Sequence, residues 1–217
     1  MAAALPLVAV YADESCLGNG REGDNPGGAG VLVEYQTPRG EFVRRDLWVS
    51  ERATTNNRMA LRSVIETFRA LDAKGRRFRV LFTTDSRYIV DGMTSWVQSW
   101  ARAGWKRKSG AIENLELWRD ALRAAAPHQV SWRWVRGHHG HAQNEYANDL
   151  AVGAATRLDA STGLTESAFD AWRAKAGRKG ENVLPFPDSD AFVASAPLPS
   201  VGNVIQVTAS GGSMSLE

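Results

Sequence analysis

Two aspartates are placed where chemistry could be done. Asp13 closes the apolar run that ends in YADES (11–15), and Asp85 closes the run LFTTDS (81–86). An open sheet gathers its site residues at the carboxyl ends of its strands. If these two strands are neighbours, two carboxylates converge on one spot. That is the oxygen donor set that holds Mg²⁺, and a pair of such ions can activate a water and shield a leaving oxygen in phosphodiester cleavage. A single Asp at a strand end is as readily a turn former, and Asp85 could simply cap the helix that follows it. The weight lies on the pair. Further on, GHHGH (137–141) offers imidazoles that titrate near neutrality, with His138 first. A zinc site from His138, His139 and His141 is disfavoured by the tight spacing and the lack of cysteine support.

The elements that must position these groups can be read from periodicity. Strand patterns fall at about 5–13, 28–36 and 41–49, the last two joined by the turn PRG (38–40) into a hairpin. A helix follows at about 55–73, capped by Thr54 or Thr55, with Met59, Leu61, Val64, Ile65, Phe68 and Leu71 at helical spacing. A fourth strand at 77–83 is expected to pair in parallel with the first. One or two helices span 85–104, another spans 113–126, a fifth strand covers 128–135, and a last helix runs from about 142 to 157. The expected fold is α/β: a five-stranded mixed sheet with helices on both faces. The domain reading is a body at 1–157, a short helical extension at 158–182 with Phe169 and Trp172 on its apolar side, and a disordered tail at 183–217 rich in Pro, Ser and Gly.

Composition narrows the setting. The chain has 217 residues and a net charge of +2, yet residues 158–217 hold only four Lys/Arg against seven Asp/Glu. A basic body with an acidic tail suits a phosphate-bearing partner. The single cysteine, Cys16, cannot form an internal disulfide, which suits a reducing compartment such as the cytoplasm. The start MAAALPLVAV reads as a buried strand rather than a leader, and no segment is long enough to span a membrane.

Taken in order, YADES, TTNNRMAL (54–61), LFTTDS, GHHGH and NEYANDLA (144–151) resemble type I ribonuclease H of the bacterial kind. The resemblance covers about residues 5–157, with a few residues inserted at 20–25. It implies two-metal endonucleolytic hydrolysis of the RNA strand of RNA–DNA hybrids by a monomer, using Mg²⁺ or Mn²⁺ and leaving 3′-hydroxyl and 5′-phosphate ends. Asp13 and Asp85 would be metal ligands, and His138 would assist proton transfer or product release.

Two ligand positions depart from the family. Ala60 stands where the family has Glu, and Asn148 stands at the fourth acidic position, with Asp149 one residue past it and rotated off the site. Asn148 could still ligate through its carbonyl oxygen. Glu14, where the family usually has Gly, could supply charge, but strand alternation directs it away from Asp13, where it would crowd the substrate backbone. The expectation is therefore an impaired enzyme, with Ala60 more in keeping with a knock-out than with natural loss. The alternative is a non-catalytic hybrid-binding module.

The resemblance also assigns substrate contacts. Cys16, Asn19, Asn56 and Arg87 match positions that touch the hybrid, where short polar groups suit the 2′-hydroxyls of RNA. Thr55 matches a position that holds a DNA phosphate. A basic protrusion combines Trp96, Trp100 and Trp105 with Arg102, Lys106, Arg107 and Lys108, lying against the DNA strand and adding salt-dependent affinity. Trp118, Trp132 and Trp134 read as core or sheet residues.

Overall fold

A computed structural model describes residues 4–18, 25–177 and 181–201. Asn19, residues 20–24 of the expected insertion and 202–217 of the expected tail lie outside them. The described residues form one sheet in the order β5-β4-β1-β2-β3-β6. Strands β1 (Leu7–Cys16), β2 (Gly27–Gln36) and β3 (Phe42–Glu51) are successively antiparallel. β4 (Arg79–Thr84) joins β1 in parallel, and β5 (Gln129–Trp134) joins β4 in parallel.

Five strands were expected and six are present among the described residues. The sixth, β6 (Thr165–Glu166), is two residues long and pairs with β3 at Arg45 and Asp46. It is too short to show any alternation in sequence.

Each face of the sheet is covered by helices. On one side α1 (Asn56–Asp72) and α4 (Leu115–Ala125) pack Ala60, Leu61, Val64, Phe68 and Trp118 with Val8, Val10 and Ala12 of β1. On the other, α5 (Ala142–Arg157) packs Ala142 and Tyr146 against Ala9 and Tyr11, joined by Phe169 of α6 (Phe169–Lys175). A Cβ on Gly28 or Gly30 would lie 2.1 or 2.2 Å from a carbonyl oxygen of α5, so these glycines let the helix backbone rest directly on β2. The 85–104 segment is one helical run: α2 (Arg87–Asp91), a π turn over Gly92–Trp96, and α3 (Val97–Arg102). Gly92 sits where any Cβ would meet the Trp118 ring.

The expected disordered tail needs correction over 183–201. This stretch is a strap laid across the body. Phe186 meets Phe42 edge-on, Ser189 accepts from the Arg79 guanidinium, and Leu198 and Val201 pack on the main core. Ser195 bonds both the Val130 carbonyl and the Trp132 amide, covering the outer edge of β5. Its contacts are scattered polar bonds and isolated apolar side chains, which leave no periodic trace in sequence.

Candidate active site

The first carboxylate sits where β1 outruns its neighbour. β4 ends at Thr84, opposite Ala12, so Asp13 extends beyond the parallel pairing and Asp85 follows directly from β4. Asp13 is only 6% exposed. Its Oδ1 accepts from the Glu14 amide at 2.7 Å, and its Oδ2 accepts from Asn144 Nδ2 at 3.1 Å. Burial first, and then the neighbouring Asp85 charge, push the Asp13 carboxyl up to about 8. Burial also raises Asp85, against the opposing influence of nearby His138.

Glu14 does not turn away from this pair. Oxygens of Asp13, Glu14 and Asp85 all lie within 4.8 Å of one another. The alternation rule holds but leads to a different result. Glu14 shares the face of Val8, Val10 and Ala12, which is the α1 face, whereas Asp13 shares the α5 face. Beyond Ala12 no β4 residue separates the faces, and both side chains reach the same opening beside Asp85. Burial and the charges of Asp13 and Asp85 raise the Glu14 carboxyl well above its usual range.

Ala60 is 0% exposed in the apolar cluster under the same α1 face. It contributes no ligand, as the sequence indicated, while Glu14 brings a carboxylate from the face on which a residue at position 60 would approach. The signal available in sequence was an adjacent Asp-Glu pair at a strand end, together with a helix that lacks its own carboxylate.

The helix α5 lines the other side. Asn148 is partly buried, one turn beyond the Asn144 that bonds Asp13. Asp149 is exposed and accepts from Trp172 Nε1 at 2.8 Å, off the site. Glu145 is buried, lies close enough to raise both Asp13 and Asp85, and accepts from the Gly140 amide. Gly137 rests on Asp85; a Cβ there would lie 2.0 Å from Asp85 Oδ2. His138 is exposed and holds a positive φ of 52° in the loop above. Trp134 is a site-edge residue rather than a core one. It is 36% exposed, its Nε1 donates to the Asp85 carbonyl at 2.9 Å, and the Arg87 guanidinium lies 4.0 Å over its ring.

Other assigned contacts fall into two groups. Thr55 caps α1, accepting from the Arg58 amide, and Asn56 beside it has an Oδ1 with no partner. Cys16 is partly buried against Met59, and burial raises its thiol to about 11. The protrusion is a separate group built on Trp118, which Trp96 and Trp100 contact at 6.4 and 5.6 Å between ring centres. Tyr88, Trp96, Trp100, Arg107, Ile112 and Glu113 line a cavity of about 430 Å³ there. Arg102, Lys106, Arg107 and Lys108 are exposed, while Trp105 is half-buried below Arg119.

A mixed sheet with carboxylates gathered at the ends of two neighbouring parallel strands is an α/β architecture with a candidate cation site at the strand ends. The RNase H family model matches residues 6–156, and the chain belongs to that family, as a type I ribonuclease H of the bacterial kind. Ribonuclease H of Pelobacter propionicus is 41% identical over 152 residues, 70% of this chain and 86% of that one. Ribonuclease H of Halorhodospira halophila is 46% identical over 146 residues, 67% and 90% of the two chains. Among solved structures, LC9-RNase H1, described as a type 1 RNase H with the type 2 active-site motif, is 62% identical. It superposes at a TM-score of 0.87 over 99% of this chain and 100% of its own. Family activity is hydrolysis of RNA in RNA–DNA hybrids, generally with divalent metal ions. No helix among the described residues is long and apolar enough to cross a membrane.

Proposed function

We propose that this chain is a working hybrid-specific endoribonuclease in which Glu14 takes over the ligand role that the family draws from the position of Ala60. The observation that carries the reading is the cluster of three carboxylates within 4.8 Å. Their raised pKa values express mutual repulsion and burial that a hard divalent cation would relieve. No Lys or Arg salt bridge reaches them among the described residues. The donor set therefore fits Mg²⁺ or Mn²⁺. Likeness to a type 1 enzyme with a type 2 active-site motif supports a relocated ligand, and the proposal stands against the expectation of a knock-out.

Asp13, Glu14 and Asp85 would hold the ions, two per site with substrate, and Asn148 would add its amide oxygen. Bound there, the ions supply an activated water and stabilise the leaving oxygen. Asn144 orients Asp13 through its Oδ2. His138, on the exposed loop near Asp85, would take or deliver a proton at the departing 3′-oxygen. Asn56 and Cys16 read the RNA strand, Thr55 holds a DNA phosphate, and the protrusion adds charge along the DNA.

Incubating the chain with a hybrid labelled on its RNA strand tests this. RNA should be cut in Mg²⁺, leaving 5′-phosphate ends, with no cutting in chelator or of duplex DNA. Tight hybrid binding without any cutting would establish the binding-module alternative instead.

A further inference from the structure

The strap touches the catalytic helix at its first turn. The Ala142 amide donates to the Asn182 carbonyl at 2.9 Å, while the side chain of the capping residue His141 makes no cap bond. The Asn182 amide group also meets His141 Nδ1 at 3.2 Å, and the two residues form a parallel bridge. Gln143, fully buried, pairs reciprocally with Leu184. Its Nε2 donates to the Leu184 carbonyl at 2.8 Å, and its Oε1 accepts the Leu184 amide at 2.9 Å. The next residue, Asn144, is the one that donates to Asp13. His141 closes the loop that carries His138. Residues 182–184 lie beyond the 6–156 family match.

We infer that Asn182 and Leu184 are positioning residues for the hydrolysis, acting on the site through the first turn of α5. A helix start leaves amides without partners and frays unless something caps them. Here the cap comes from a segment 40 residues away in sequence. Holding the backbone at 141–143 sets Asn144 against Asp13 and ties down one end of the His138 loop. The strap's other anchors, Ser189 on Arg79 and Ser195 on Val130, sit at the amino ends of β4 and β5, away from the carboxylates. The inference rests on the hydrolysis reading and assigns part of its machinery to a segment outside the family domain.

Full-length Leu184→Pro, which removes the amide that Gln143 accepts, and Gln143→Met, which removes both bonds to Leu184, test it against Ser189→Ala, a far-end control. Each is assayed on hybrid in Mg²⁺ well below its melting temperature. The two near-end variants should lose about tenfold or more in kcat with KM unchanged, as supporting residues around metal ligands do. Ser189→Ala should keep kcat even where it lowers the melting temperature. Amide hydrogen exchange at Asn144 and Glu145 should accelerate in Leu184→Pro and not in Ser189→Ala. Wild-type kcat in Leu184→Pro, or unchanged exchange there, overturns the inference. Leu184 is only partly buried, so that variant decides if Gln143→Met does not fold. If the parent chain cuts no hybrid, the hydrolysis reading fails on its own, and the exchange result still decides whether the strap holds the helix.

Discussion

The two helices that reach the site from opposite faces of the sheet bring very different things to it. The first turns of α5 bury Gln143, Asn144 and Glu145, polar groups wired to Leu184, Asp13 and the Gly140 amide. The first turns of α1 bury Met59, Ala60 and Leu61, all apolar. What α1 omits, β1 supplies one residue after Asp13. On the proposed reading, the charge of a metal site belongs to a point in space rather than to an element, and a carboxylate on a strand end, held by the sheet's own hydrogen bonds, serves that point.

The sharpest way to break the contrast is at the contact that sets α5. Gly30→Ala places a Cβ 2.2 Å from the Ala147 carbonyl. Backbone cannot yield cheaply, so a loss of about 3 kcal/mol is expected. That corresponds to roughly 6–12 °C in melting temperature. Ala60→Gly in α1 removes a Cβ instead of adding one and should cost only about 1 kcal/mol, from helix propensity and lost packing. Paired thermal melts measure the difference.

A smaller effect concerns binding rather than stability. Neutralising Lys106, Arg107 and Lys108, all exposed on the α1 side of the molecule, should weaken hybrid affinity and flatten its salt dependence. The slope should fall by up to about 0.7–0.9 log units per lost phosphate contact. Titrations at several salt concentrations check it, and cleavage at saturating hybrid should be preserved.

Smaller still is a pH effect at the far end of the sheet. The Phe78 amide donates to His128 Nδ1 at 3.2 Å, which requires a neutral ring, and burial lowers the His128 pKa. A base with a depressed folded pKa stabilises the fold above its unfolded value, and that stability is lost as pH falls through the folded one. Melting temperature should therefore drop as pH falls below about 6.5, and His128→Asn, which cannot titrate, should flatten that drop.

Much of this was legible in the sequence because it rests on periodicity. Five strands, α1, α4 and α5 follow their apolar spacing, and the parallel pairing of β1 with β4 brings Asp13 to Asp85 as expected. Glu14 was misplaced because alternation was read as distance: the two faces merge where β4 stops at Thr84. The strap escaped because Asn182, Ser189 and Ser195 hold it through a few scattered hydrogen bonds that no pattern announces. Trp134 is a sheet residue as read, the last of β5, but its exposure beside Asp85 was not legible because it depends on β5 ending there, at the sheet's edge.

The central claim is that the third carboxylate comes from Glu14 and that none is missing at position 60. Cleavage of a hybrid in Mg²⁺ by the parent chain, Glu14→Gln and Ala60→Glu tests it in one set of rates. Glu14→Gln should lose more than a hundredfold, since a ligand charge to catalytic metal is worth several kcal/mol, while Ala60→Glu should bring no gain. A rise of orders of magnitude in Ala60→Glu, with Glu14→Gln cutting like the parent, would contradict the account.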